Sequence, residues 1–203
     1  MTIQIALLRG INVGGKNKIK MAELKIALGE LGLSRVQTYI QSGNILFDSD
    51  EEEAVLCERI SAKINEAFGL NIPVMLRSAQ ELNEIVASCP FTAAQIEEAE
   101  SASDSESLYV AMLLHAPEPE KLERLQQFAT NEEQFRMVGR NIYLLYHNSI
   151  RDSKLAVQVE KLGVLVTTRN WKTVNKLIAM ADEMASENYD VSIAAKEDCD
   201  DCS

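Results

Sequence analysis

Several residue types that catalytic and nucleic-acid sites depend on are scarce in this sequence. Only two of its 203 residues are histidine, and neither His115 nor His147 lies in a metal-ligand spacing. Aromatic residues make up 5% of the chain, so few rings are available to stack on bases. The nucleophile turn of serine hydrolases and the HExxH pattern of zinc proteases are both absent. We therefore expect no metal site and no cofactor.

Long apolar runs and a secretory leader are also lacking. No apolar stretch approaches the ~20 residues that cross a bilayer, and the N-terminus lacks the basic, apolar, small-residue order of a signal peptide. These absences predict a cytoplasmic protein without membrane contact. Cys57 and Cys89 lie on apolar helical patterns typical of buried thiols. Cys199 and Cys202 form one C-D-D-C, which either binds a metal or is only part of an acidic tail.

Positive charge is the minority, and it is concentrated in two segments. The net charge of −11 argues against general nucleic-acid affinity. Residues 1–47 nevertheless hold six Lys or Arg against two acids, and residues 150–177 hold six against two. Each basic segment is either an ordinary solvated face or one part of a site for an anion.

Hydrophobic periodicity predicts the order β-α-β-β-α-β twice. In the first unit we predict strands at residues 3–9, 36–40, 44–48 and 72–77, with helices at 21–31 and 52–68. Ser78 and Glu81 then form a capping box for a further helix. In the second unit we predict strands at residues 108–115, 134–138, 141–146 and 164–168, with helices at 119–129, 153–162 and 171–185.

This order predicts an α+β protein of two ferredoxin-like subdomains, with mostly antiparallel sheets, packed as an internal pseudo-dimer. The predicted divisions are an N-terminal subdomain at 1–92, an acidic linker at 93–107, a C-terminal subdomain at 108–185 and an acidic tail at 186–203. The linker and the tail are rich in polar and acidic residues, so we expect both to be exposed.

A glycine-rich stretch follows the first strand and reads R-G-I-N-V-G-G-K-N-K over residues 9–18. Gly10 to Lys16 fit GxxxxGK, the start of a nucleotide phosphate loop. Asn17 stands where that loop needs Ser or Thr for Mg²⁺, and the predicted sheet is not parallel. Two interpretations remain: the glycines supply turn positions with positive φ, or they line an anion-binding loop beside Arg9, Lys16 and Lys18.

Two further polar clusters accompany this loop. T-Y-I-Q-S-G-N at 38–44 forms a hairpin tip, which ordinary turn chemistry also explains. S-K-L at 153–155 and T-T-R-N-W-K-T-V at 167–174 make up the third cluster, in which Asn170 is well placed to cap the last helix. Ser42 would act as a nucleophile only with a base such as Lys18 or Lys154 beside it.

At these three clusters the sequence resembles a bacterial family, the domain of unknown function numbered 1697, from about residue 3 to residue 180. The resemblance implies a compact α+β protein of two subdomains. No activity is established for that family, so the resemblance assigns no catalytic residue. It implies a signature that includes Tyr39 and Gly43 as well as most of the residues that we expect at the site.

The sequence thus predicts an uncharacterised protein that binds a small phosphate- or carboxylate-bearing anion in a cleft between the subdomains, with or without catalysis. The alternative is a protein- or RNA-interaction module without catalysis. The oligomeric state is not indicated. We expect one cleft to gather the cations Arg9, Lys18, Lys154 and Arg169 around Ser42, where they would repel one another until an anion binds. The expected ligand-binding residues are Arg9, Asn12, Gly14, Gly15, Lys16, Lys18, Gln41, Ser42, Asn44, Lys154, Thr168, Arg169, Asn170 and Trp171.

Overall fold

The computed structural model describes the backbone of residues 1–200 and the side chains of residues 1–187. The N-terminal subdomain consists of β1 (Thr2–Leu8), α1 (Met21–Gly29), β2 (Ser34–Tyr39), β3 (Asn44–Ser49), α2 (Glu53–Phe68) and β4 (Val74–Ser78). Two helices follow it, α3 (Ala79–Ala87) and α4 (Ala93–Ala102). The C-terminal subdomain consists of β5 (Leu108–Leu113), α5 (Pro119–Gln126), β6 (Glu133–Val138), β7 (Asn141–Tyr146), α6 (Lys154–Val159), β8 (Val166–Asn170) and α7 (Trp171–Asp200).

Each subdomain contains one four-stranded antiparallel sheet. The strand orders are β2-β3-β1-β4 and β6-β7-β5-β8, so the two sheets have the same connectivity. Their registers also correspond. Leu7 lies opposite Asn44 as Met112 lies opposite Asn141, and Ile5 lies opposite Arg77 as Val110 lies opposite Arg169. The predicted pair of similar α+β subdomains is confirmed.

Both faces of each sheet are covered, because successive residues of a strand point to opposite sides. On β1, Ile5 and Leu7 enter a central core shared by the two subdomains, whereas Ala6 and Leu8 face a separate core beneath α1 and α2. The second sheet repeats this arrangement with α5 and α6. The central core also takes the apolar faces of α3 and α7, so it joins the subdomains into one packed unit.

The helices that enter the central core begin at equivalent caps. The hydroxyl of Ser78 accepts a hydrogen bond from the backbone N–H of Glu81 at 3.1 Å. The side-chain oxygen of Asn170 accepts one from the N–H of Thr173 at 2.8 Å. Each bond satisfies an otherwise orphaned N–H of the first helical turn. Both caps were predicted from the sequence and are confirmed.

The segment predicted as an acidic linker contains a helix that the sequence analysis did not predict. Thr92 and Gln95 form a capping box at the start of α4, and Ala99 is buried in the central core. Most other side chains of α4 are exposed, as expected.

At the C-terminal end of the chain, α7 extends past residue 185, where the sequence predicted that the last helix would end. The side chains of Cys199 and Cys202, the C-D-D-C pair, lie outside the described residues.

Among the residues described, no helix is long and apolar enough to span a bilayer.

Candidate functional site

Arg169, near the end of β8, joins the two subdomains through a buried guanidinium. All five of its N–H groups donate hydrogen bonds. The acceptors are Asn44 Oδ1 at 2.6 Å, Thr167 Oγ1 at 2.8 Å, and the carbonyl oxygens of Thr168 at 2.9 Å, Leu8 at 2.9 Å and Ser42 at 3.1 Å. Burial lowers the pKa of Arg169 to about 10, so the group is still protonated at neutral pH. With every donor used, Arg169 has no N–H left for an anionic ligand.

Arg9 lies at the same junction but has a different partner. Its guanidinium forms an ion pair with Glu160 beyond the end of α6, across the boundary between the subdomains. Both side chains are partly exposed. The expected group of mutually repelling cations therefore does not form around Ser42: Arg9 has a carboxylate partner, and Arg169 is surrounded by neutral acceptors. Lys154 is exposed and makes no ion pair with a described residue.

The hairpin tip between β2 and β3 is tightly built against the end of β1. Gly43 has φ +76°, and a Cβ there would lie 2.7 Å from Leu8 Cβ and from Ile11 Cδ1. The Ser42 hydroxyl accepts from Asn44 Nδ2 at 3.1 Å and has no lysine bonded to it among the described residues, so it lacks an activating base. Ile40 has φ +48°, a strained conformation for a β-branched residue.

The glycine-rich stretch forms a closed loop held by its own asparagines. Asn12 accepts from the N–H of Ile19 at 2.9 Å and donates to the carbonyl oxygens of Ile19 at 3.0 Å and Gln41 at 2.9 Å. Asn17 donates to the carbonyl oxygen of Gly10 at 2.9 Å. Gly10, like Gly14 and Gly15, has a positive φ, as the turn interpretation predicted. Because α1 begins only at Met21, the loop lacks the helix start that a nucleotide phosphate loop places at its lysine.

A pocket of about 660 Å³ lies between this loop, the hairpin tip and the start of α1. We call it the loop pocket; it is lined by Asn12, Gly15, Lys18, Ile19, Lys20, Met21, Ala22, Glu23 and Gln41. Four of these residues were predicted from the sequence. The sequence analysis missed the contribution of α1, although the run K-I-K-M just before the helix was a visible signal.

The helix start in the loop pocket has no side-chain cap. Lys20 occupies the N-cap position and makes no side-chain capping bond, so the first N–H groups of α1 lack such a partner. Lys18 and the side chain of Gln41 are exposed and bond to no described residue. Glu23, the one acid of the lining, pairs with Lys20 at 2.9 Å. The free groups of the pocket are therefore backbone N–H donors, the side-chain amide of Gln41, which can donate and accept, and the cation Lys18.

The other expected ligand-binding residues lie elsewhere. Gly14 and Lys16 are exposed on the loop but do not line its pocket. Thr168 lines a separate pocket of about 240 Å³ with Ser153 and Glu160. Asn170 caps α7, and Trp171 packs against the central core. Within the side chains described, no cluster of His, Cys, Asp or Glu could hold a metal ion.

Comparison with known proteins agrees with the resemblance. The family described as "Protein of unknown function (DUF1697)" matches residues 1–143. The solved structure of the conserved bacterial protein SP0830 from Streptococcus pneumoniae is 27% identical, with a TM-score of 0.66 over 89% of this chain and 98% of that one. A search of curated proteins finds no match. The matched range includes the loop, the hairpin tip and the whole N-terminal subdomain, and the chain belongs to this family of proteins of unknown function.

Proposed function

We propose that the loop pocket binds a small anion that carries phosphate or carboxylate groups. The observation that carries this proposal is the convergence of an uncapped helix start, Lys18, Gln41 and the glycine loop on one pocket. N–H groups at a helix start point toward the site, and the helix dipole favours negative charge there. The pocket lies within the N-terminal subdomain, beside the junction rather than in a cleft between the subdomains.

The local charge supports an anion despite the acidic chain. Residues 1–47 carry a net charge of +4, from six Lys or Arg and two acids. Glu23 is offset by Lys20, so Lys18 contributes an unneutralised charge at the pocket. A ligand phosphate or carboxylate would accept a charge-assisted hydrogen bond from Lys18, which is stronger than a bond between neutral groups.

The pocket is also held in shape before any ligand arrives. Asn12 ties the loop to Ile19 and to the hairpin tip through three hydrogen bonds. Ile40 keeps a strained positive φ next to Gln41 while its own side chain is 48% exposed, so packing does not explain that strain. Strained backbone is concentrated at ligand sites, and a rigid site loses less conformational entropy on binding.

The volume favours a ligand larger than a single phosphate. Pockets for small molecules typically enclose roughly 300–1,000 Å³, and the loop pocket falls in this range at about 660 Å³. Sugar phosphates, nucleotides and tricarboxylates are of suitable size. The lining offers donors and cations but no free general base, so we propose binding and assign no reaction.

RNA binding, the alternative function, is not favoured by any observation. RNA-binding sheets of this connectivity stack bases on aromatic residues of an open sheet face. Here both faces of each sheet are covered by helices or by the other subdomain.

Thermal unfolding tests the proposal directly. The purified protein would be melted with inorganic phosphate, pyrophosphate, a nucleoside monophosphate, a hexose phosphate and citrate. At least one should raise the melting temperature, by about 4 °C at ten times its Kd. In Lys18→Gln, the affinity for that compound should fall about tenfold or more through loss of one charge-assisted hydrogen bond.

Lys25→Gln is the matched control, because Lys25 is exposed on α1 and does not line the loop pocket. It makes the same change in net charge and should leave the affinity within about twofold. No shift with any compound would overturn the proposal, and so would an equal loss of affinity in the two variants.

A further inference from the structure

The pocket of about 240 Å³ that Thr168 lines belongs to the C-terminal subdomain and shares no residue with the loop pocket. It lies between α6 and β8, the edge strand of the second sheet, and we call it the α6–β8 pocket. Ser153 and Thr168, which line it, come from the third polar cluster of the sequence. The proposed function makes no use of that cluster.

Most of the wall of the α6–β8 pocket is apolar. Leu144 and Val159 belong to the core beneath α6, and Ile150 and Ala156 pack against that core while remaining partly exposed. Val157 also lines the pocket, and 48% of its surface is exposed. Contact between water and apolar surface is unfavourable, so a hydrocarbon group that displaced this water would be bound favourably.

One charge on this wall has no partner among the described residues. The lining contains two charged side chains, Arg151 and Glu160. Glu160 is already paired with Arg9. Arg151 is exposed, and its guanidinium makes no ion pair or hydrogen bond with a described residue. The neighbouring acid, Asp152, does not line the pocket. The pocket therefore offers one accessible positive charge beside an apolar surface.

The guanidinium of Arg151 acts on the sheet face that forms the floor of the pocket. Tyr109 pairs with Leu144 across β5 and β7, so the two side chains lie on the same face. Burial, and then Glu106, raises the pKa of Tyr109, and the positive charge of Arg151 opposes that rise. Thr168 is half-buried, and its hydroxyl makes no hydrogen bond with a described residue. A cation and a free hydroxyl thus accompany the apolar wall.

We propose that the α6–β8 pocket binds a short aliphatic monocarboxylate, with its carboxylate on Arg151 and the Thr168 hydroxyl and its hydrocarbon chain against the apolar wall. A guanidinium matches a carboxylate through two parallel hydrogen bonds. Inorganic phosphate and pyrophosphate fit less well, because they have no apolar part and bring further negative charge toward Glu160. A neutral alcohol or amide would leave the charge of Arg151 unused.

The size and the remaining polar group of the pocket agree with this class of ligand. The pocket is less than half as large as the loop pocket, so it suits a compact molecule. The Ser153 hydroxyl donates to Glu133 Oε2 at 2.5 Å and accepts from the N–H of Ala156 at 3.0 Å, so it is already satisfied. A ligand chain beside Ser153 therefore needs no polar group of its own.

Thermal unfolding with a series of carboxylates tests the site. The protein would be melted at constant ionic strength with acetate, propionate, butyrate, valerate and hexanoate. Affinity should rise about threefold with each added methylene group until the pocket is filled. The tightest compound should raise the melting temperature by about 4 °C at ten times its Kd. Its primary amide, which has the same chain without the charge, should lose the shift.

Arg151→Gln tests the carboxylate contact. The side chain is exposed and unpaired among the described residues, so the variant should fold normally while its affinity for the tightest carboxylate falls about tenfold. Arg124→Gln makes the same change at an exposed position of α5 that does not line the pocket, and its affinity should stay within about twofold.

Val157→Ser tests the apolar wall separately. Because Val157 is partly exposed, the change should leave the melting temperature without ligand nearly the same. Affinity for the tightest long-chain carboxylate should fall about threefold, whereas affinity for acetate, whose short chain makes little apolar contact, should not change.

Four results would overturn the proposal. They are an absence of any shift with the carboxylates, an equal shift with the amide, an equal loss of affinity in the two arginine variants, and a loss of the response in Lys18→Gln. The last result would assign the carboxylate to the loop pocket. The two pockets have separate residues, so failure here leaves the anion proposal untouched.

Discussion

Arg169 carries a positive charge into the protein interior without a carboxylate to neutralise it. Its five hydrogen bonds to neutral oxygens compensate for the lost hydration, and three of those oxygens belong to the N-terminal subdomain. Removing the side chain would leave Asn44 Oδ1 and the carbonyl oxygens of Leu8 and Ser42 without this donor in a buried site. Each unsatisfied group costs about 1–3 kcal/mol.

Arg169→Met should therefore lower the free energy of unfolding by about 4 kcal/mol. Urea titration followed by circular dichroism would measure this. Arg9→Met removes a partly exposed ion pair and should cost less than about 1 kcal/mol. Equal, small losses in the two variants would contradict the structural role of Arg169.

The sequence could not distinguish these two arginines. Each follows or ends a strand and is close to other polar residues, so both were expected to contact a ligand. Their roles are decided by partners that are distant in the chain: Glu160 for Arg9, and Asn44 and Leu8 for Arg169. Only the packing of the two subdomains brings those partners within reach.

At the scale of the element, the hairpin tip depends on glycine for two separate reasons. Gly43 has a positive φ, and a Cβ added there would lie only 2.7 Å from Leu8 Cβ and Ile11 Cδ1. Gly14 has a positive φ of +57° but nothing within 4 Å of an added Cβ. Gly43→Ala should cost about 3 kcal/mol in unfolding free energy, and Gly14→Ala about 1 kcal/mol.

Chemical denaturation of the two alanine variants checks this difference. Similar losses would mean that the close approach at Gly43 contributes little and that backbone strain alone explains both.

The helix α4 marks the limit of prediction from local sequence. Its composition is polar and acidic, and only Ala99 is fully buried, so hydrophobic periodicity gives almost no signal. The pattern T-x-x-Q at residues 92–95 was a usable capping signal. Strands and helices with a clear apolar face, such as β7 and α2, were predicted to within one or two residues.

At the scale of the whole molecule, the internal repeat explains why the two subdomains share a fold. Their equivalent buried arginines, Arg77 and Arg169, nevertheless make different hydrogen bonds. The order of elements was predictable because each unit repeats the same alternation of strand and helix patterns. The hydrogen bonding was not, because the equivalent residues have different partners: Asn44 accepts from Arg169, whereas the side-chain oxygen of Asn141 accepts no hydrogen bond from a described residue. Arg169 therefore makes five hydrogen bonds, whereas Arg77 makes two to the described residues.

The sequence predicted only some of the residues that line the loop pocket. Lys18, Gln41 and the glycines are marked by composition, and the structure brings several of them together. Which of the expected residues face a common space depends on the path of the loop, which Asn12 and Asn17 set through positive φ values and internal hydrogen bonds.

The most direct test of the central claim, that the loop pocket binds an anion, is a titration with pyrophosphate followed by amide resonances in ¹H–¹⁵N spectra. Binding at the uncapped start of α1 should move the amide signals of Gly15, Met21, Ala22 and Glu23, with a saturable dependence and a Kd of about 1 mM or tighter. Signals from α5 and α6 should stay in place. Amides of the loop and α1 that remain still up to about 10 mM pyrophosphate, or move only together with signals across the whole surface, would contradict the claim.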